Sequence, residues 1–263
     1  MTDVDNNRPV VLASLGIALL SAGCIAGAIY TATQGDYALT LAFDLLAMML
    51  IFGALGQWIT QHYLGILIDG RNVISLARLQ IAGWSLVVFT AILSMTVINL
   101  VNRDPAAIDI RMPPELLALM GIGTTSLVGS ALILAGKKNT SVPDDAAKAA
   151  LATVAASTGT ASDQLANQGV LVVNKQMGQA RWRDLFTGEE LADAAHIDIA
   201  RVQMLFFSIV LLVVYAAEIA LLVAGNKPQT HGFPPISQYM VGLIAISQGG
   251  YLVNKAIPAT AKG

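Results

Sequence analysis

Charge is scarce in this sequence. Asp, Glu, Lys and Arg make up 12% of its 263 residues, against about 25% in ordinary soluble domains. Such a chain has too little polar surface to stay dispersed in water. One cysteine, Cys24, leaves no partner for an intramolecular disulfide and excludes a secreted disulfide scaffold. The three histidines, His62, His196 and His231, stand far apart in the sequence. No His-x-x-x-His, Cys-x-x-Cys or carboxylate cluster offers metal-ligand spacing, so neither a metal nor a cofactor is expected. Gly136-Lys137-Lys138 lacks the Ser/Thr and upstream glycine of a phosphate loop. Gly121-x-Gly123 follows no strand, and there is no Gly-x-Ser-x-Gly elbow. No catalytic residue is assigned, and the chain is not expected to be an enzyme. The net charge of −2 carries no nucleic-acid signature, and no nucleic-acid partner is expected.

Apolar residues are abundant, at 55%, and they fall in blocks of bilayer length. The blocks define an all-α membrane protein with six spans, at about 10–32, 38–61, 80–102, 114–136, 203–225 and 236–256. The chain thus divides into a membrane domain over 1–136, a cytoplasmic insertion over 137–202, and a second membrane segment with the C-terminal tail over 203–263. The first block is no export signal: Asp3 and Asp5 oppose a single Arg8, and the apolar run continues past Cys24 to Tyr30. Six spans place both termini on one side. That side carries Arg8, Arg71, Arg78, Lys137, Lys138, Lys148, Lys175, Arg181, Arg183, Arg201, Lys255 and Lys262. The other carries only Arg103, Arg111 and Lys227. Twelve against three (ten against three without Lys148 and Lys175, deep in the long loop) puts both termini in the cytoplasm.

The pattern also repeats. Ala77-Arg78-Leu79-Gln80 opens the third span and Ala200-Arg201-Val202-Gln203 the fifth. Pro113-Pro114 and Pro234-Pro235 precede the fourth and sixth, each of which has a small or polar middle, Gly121 to Ser126 and Ala245 to Gly250. The offsets of 123, 121 and about 124 residues predict a parallel internal repeat over about 77–136 and 200–256. The Ala-Arg-x-Gln starts, Asp184-Leu185-Phe186-Thr187-Gly188-Glu189-Glu190 and Ile246-Ser247-Gln248-Gly249-Gly250-Tyr251 resemble a family of bacterial multi-pass inner-membrane proteins with no assigned function. The resemblance covers about residues 66–258. It implies a bacterial inner membrane and brings no functional residues with it.

In the insertion, Ser141-Val142-Pro143-Asp144-Asp145 reads as a helix start with a hydroxyl cap. The Ala-rich run to Ala156 follows as a short helix, broken by Ser157-Thr158-Gly159-Thr160. Gly169 to Val173 reads as an extended piece, half of a hairpin. Thr187 and Glu190 have capping-box spacing and predict a helix leading into span five. Arg181, Trp182, Arg183 and Phe186 suit the membrane interface or the docking of a partner.

Two acids fall inside spans, Asp44 and Glu218, and are candidates for an ion pathway. Small residues at Gly23, Gly27, Gly121, Gly129, Gly249 and Gly250, with Gly53, Gly56 and Gly123, predict close helix crossings. The leading functional expectation is a structural or interaction subunit in the bilayer that forms a homo-oligomer or anchors a membrane complex. The alternative is an ion channel or proton-coupled transporter using Asp44 and Glu218.

Overall fold

The computed structural model describes residues 8–225 and 230–261. Asp3, Asp5, Lys227 and Lys262, used in the charge reading, lie outside the described residues. Seven α-helices occur among them: α1 (Arg8–Thr33), α2 (Tyr37–Thr60), α3 (Leu76–Val101), α4 (Pro114–Lys138), α5 (Asp144–Thr158), α6 (Ile199–Ala224) and α7 (Gln238–Ala256). Five of these, α1, α2, α3, α4 and α6, are long and apolar enough to cross a bilayer, as a multi-pass membrane protein requires. At 19 residues, with Ser247, Gln248 and Lys255 on board, α7 is shorter and more polar.

The chain divides into two compact units. The first contains residues 1–66, 82–118 and 210–238. Here α1 and α2 form a hairpin closed by Gly35, at φ 76°, and Asp36, whose Oδ1 accepts from the Leu39 amide at 3.1 Å. Thr31 and Thr40, both buried, join the two helices through their hydroxyls at 3.0 Å. Trp84 and Tyr215 pack ring against ring with centroids 6.0 Å apart. The connections after α3 and α6 meet in a parallel bridge, the Arg111 amide donating to His231 O at 2.8 Å and the Phe233 amide to Arg111 O at 3.0 Å. Tyr215 donates its hydroxyl to Pro234 O at 3.1 Å. Beside this strap Pro234-Pro235 lie outside regular structure, and α7 begins at Gln238 and not at the prolines; Pro114, by contrast, opens α4 as expected.

The second unit contains residues 67–81, 119–209 and 239–263. Its soluble part starts with α5, where Asp144 and Asp145 occupy the first turn and Gly159, at φ 62°, closes the last. The expected hydroxyl cap does not form; Pro143 holds the cap position without a side-chain bond. Strands β1 (Leu165–Gln168) and β2 (Leu171–Asn174) pair antiparallel with Gln168 opposite Leu171. Val154, Ala155, Leu165 and Ala194 form a small core beneath them. The segment before α3 is more than a turn. Asn72 and Asn174 each donate a side-chain amide to the other's carbonyl, at 2.8 and 2.7 Å, and the Asn174 amide donates to Arg71 O at 3.0 Å. The expected helix from Thr187 is absent. Thr187 bridges to Ile197 and Glu190 to Leu171, and α6 starts later, where Asp198 Oδ1 accepts from the amides of Ala200 (3.0 Å) and Arg201 (3.3 Å). The Glu190 carboxylate does not reach back to cap Thr187, because it is engaged with Lys137 at 2.5 Å.

Of the nine glycines expected at close crossings, two lie at contacts with another helix, and a third, Gly56, packs against the turn after α2, where a Cβ would meet His62 O at 2.7 Å. A Cβ on Gly27 would meet the Phe43 ring at 3.2 Å, and one on Gly129 would meet Leu252 at 3.2 Å. A Cβ on Gly23, Gly53, Gly121, Gly123, Gly249 or Gly250 would meet nothing within 4 Å. Gly169 is needed for another reason: its φ of 59° and the approach of the Lys137 and Lys138 carbonyls leave no room for a side chain. Gly169→Ala should therefore destabilise the fold by about 1–3 kcal/mol. Gly121→Leu and Gly249→Leu should each change the monomer's stability by less than about 0.5 kcal/mol. Thermal unfolding in detergent checks both expectations.

Candidate functional site

Three cations of the second unit converge on one carboxylate, Glu189. Arg71 Nη2 lies 2.8 Å from Oε1, Arg201 Nη1 3.1 Å from Oε1, and Lys255 Nζ 2.7 Å from Oε2. Arg71 comes from the segment before α3, Arg201 from the first turn of α6, and Lys255 from the last turn of α7. All three cations are buried, with Arg201 only 2% exposed. Arg71 is held from its other side by Asp69, 2.8 Å away. Arg201 also donates to Asp184 O at 2.8 Å and Leu185 O at 3.2 Å. Beside this centre, Lys137 in the last turn of α4 pairs with Glu190 and donates to Lys255 O. Glu190 Oε2 accepts from the Ala259 amide at 3.0 Å, tying in the tail after α7.

Burial alone would push the Glu189 carboxyl up, but Arg71, Lys255 and Arg201 outweigh it and hold it well below the usual carboxylate range. Burial likewise pulls the Arg71 guanidinium down, and Glu189 and Asp69 more than reverse this, leaving it above its ordinary value. A carboxylate so held, with both oxygens engaged by cations, is a poor general base. The adjoining cavity is about 50 Å³ and is lined by Arg71, Asp184, Thr187 and Arg201 among others. That is room for a few waters, well short of the roughly 300 Å³ at which small-molecule pockets begin. The arrangement is suited to holding backbone segments in place.

The residues expected to anchor the interface are placed differently from one another. Arg181 and Trp182 are exposed and Phe186 is half-buried. Arg183 turns inward and donates to Thr158 O and Thr160 Oγ1; burial first, and then Arg181, lowers its pKa. The two intramembrane acids also part ways. Asp44 is fully buried on α2 and accepts from Ser94 of α3 at 2.7 Å, whereas Glu218 is exposed on α6. Its second oxygen, Asp44 Oδ1, has no partner among the described residues. No cluster of three metal-ligating side chains occurs among the described residues. The cluster around Glu189 was not foreseen. In the sequence Arg71 and Lys255 read only as topological charges, Arg201 also as part of the repeated Ala-Arg-x-Gln start, and Glu189 only within the Asp184 to Glu190 stretch; their separation along the chain hides their meeting.

Compared with known proteins, the chain matches no family model, no curated protein and no solved structure.

Replacing Glu189 with Gln leaves three buried cations without their carboxylate and should cost about 3–5 kcal/mol. The depressed carboxyl stabilises the fold above its unfolded value of about 4.3, and that contribution is lost as pH falls through the folded value. The gap in stability between wild type and Glu189→Gln should be fully open at pH 7 and narrow on acidification below about pH 4. Detergent-phase melts across that range provide the check.

Proposed function

We propose that this chain is a structural or interaction subunit of the bacterial inner membrane that oligomerises or anchors a larger assembly. Its termini and residues 139–199 face the cytoplasm. The observation that carries the reading is the use made of buried charge: Glu189, Arg71, Arg201 and Lys255 are committed to one another, joining a small folded domain to the ends of α6 and α7. The outward-facing Gly121, Gly249 and Gly250 leave faces where another helix backbone can approach closely. The six-span reading is supported by the course of α7. Gln238 at its head reaches Glu115 at the head of α4 (3.5 Å), and Lys255 near its tail meets Lys137 near the tail of α4. The parallel repeat is supported by α3 and α6, each 26 residues long and starting 123 residues apart (199 − 76). The bridge of Arg111 to Gly232 repeats the 121-residue offset of the proline pairs (232 − 111).

One observation favours the alternative, an ion or proton path: the buried Asp44, with one carboxylate oxygen unpartnered. Two measurements separate the readings. Native mass in lipid nanodiscs should exceed that of one chain or include co-purifying subunits; a lone monomer would contradict the subunit reading. In liposomes, wild type should carry no ion or proton flux, and Asp44→Asn should assemble normally. Flux that disappears in Asp44→Asn would establish the alternative. For the topology, a cysteine placed at Ser157 in a Cys24→Ala background should resist impermeant reagent added outside intact cells, and labelling there would overturn the orientation.

A further inference from the structure

A groove of about 300 Å³ opens where α3 begins and α4 ends. Its polar lining comprises Asp69, Arg71, Ser75, Arg78, Ser130 and Lys138, and its apolar lining includes Leu127, Ala131 and Leu134. Asp69 and Arg71 neutralise each other across 2.8 Å. Arg78 and Lys138 form no ion pair or side-chain hydrogen bond with any described residue, unlike Arg71, Lys137, Arg201 and Lys255 of the same unit. The hydroxyls of Ser75 (9% exposed) and Ser130 (4% exposed) also lack hydrogen-bond partners among the described residues, though both line the groove. Two unpaired cations and two free hydroxyl donors share the groove with an aliphatic wall. A phosphate diester carried on an acyl chain answers all three demands: charge, hydrogen-bond acceptors, and an apolar tail running along α4.

We propose that this groove binds the headgroup phosphate of an anionic phospholipid, with Arg78 and Lys138 as its charge partners and Ser75 and Ser130 as donors. The lipid's chain lies against Leu127, Ala131 and Leu134. The site rests on the membrane placement of α3 and α4 and is independent of whether the chain is a scaffold or a channel. Neutralising both cations removes roughly 1 kcal/mol apiece of attraction near a membrane surface, which corresponds to about a thirtyfold loss of affinity.

The test is native mass spectrometry of the full chain, titrated in a zwitterionic detergent with phosphatidylglycerol or with phosphatidylcholine. Wild type is expected to retain phosphatidylglycerol preferentially. Arg78→Gln/Lys138→Gln is expected to lose that preference by about thirtyfold. Ala131→Trp, which fills the wall without changing charge, should lose it as well, while Lys148→Gln/Lys175→Gln, which removes two cations outside the groove, should retain it. Equal retention of the two lipids by wild type would overturn the proposal even if a variant failed to fold. So would an equal loss in the Lys148/Lys175 variant, which would mean diffuse surface charge. Inorganic phosphate added at millimolar concentration should not displace the lipid; full displacement would mean that the site takes a soluble anion and that no lipid is specified.

Discussion

A carboxylate removed from water needs compensation, and in this protein Glu189 takes it from three directions. The Born cost of burying an ion is several kcal/mol even after relaxation. It is offset here only because Arg71, Arg201 and Lys255 reach the same two oxygens. Those cations lie in the segment before α3, at the start of α6 and at the end of α7. The ion cluster therefore fixes the spacing of backbone segments that are 184 residues apart at the extreme (255 − 71). Lys137 and Glu190 extend the same arrangement to α4 and to the tail. A buried ion cluster of this kind specifies geometry more than it raises stability, because an apolar replacement of equal shape can be as stable.

Other features of the second unit follow from that constraint. Because Glu190 is drawn to Lys137, residues 187–198 cannot close a capping box and instead form bridges that lead to Asp198, the cap of α6. Because Arg71 is pulled toward Glu189, the segment 67–75 folds against the end of β2, with Asn72 and Asn174 exchanging hydrogen bonds. Gly169 completes the fit where the hairpin turn meets the end of α4. The first unit uses another device: neutral polar pairs such as Thr31 with Thr40, and Asn99 accepting from the Thr230 amide at 3.0 Å while donating to its carbonyl at the same distance. Such bonds suit apolar surroundings, where an unmatched charge is costly.

The long helices were legible in the sequence because their signal is additive. Every residue of an apolar block contributes, so α1, α2, α4 and α6 lie within a few residues of the expected bounds. The sixth block gives a weaker signal, since Gln248 and Lys255 dilute α7, which is not among the five helices long and apolar enough to cross a bilayer. The short insertion helix and half of the hairpin were also readable from Pro143, Gly159 and Gly169. What escaped was long-range. A Thr-x-x-Glu spacing is a local preference, and a tertiary partner, Lys137, outcompeted it. Glycine spacing marks where close contact is possible, yet Gly121, Gly249 and Gly250 face outward. The convergence on Glu189 leaves no periodic trace, because each cation sits in a separate segment.

Glu189 should make the segment before α3, the insertion and the start of α6 behave as one cooperative body. Hydrogen exchange on backbone amides in lipid nanodiscs, comparing wild type with Glu189→Gln, measures this directly. The amides of Asn174, Leu191 and Ser75, which are all hydrogen-bonded, should lose protection together and by the same free energy in the variant. Loss confined to the neighbours of residue 189, with Asn174 and Ser75 as protected as in wild type, would contradict it.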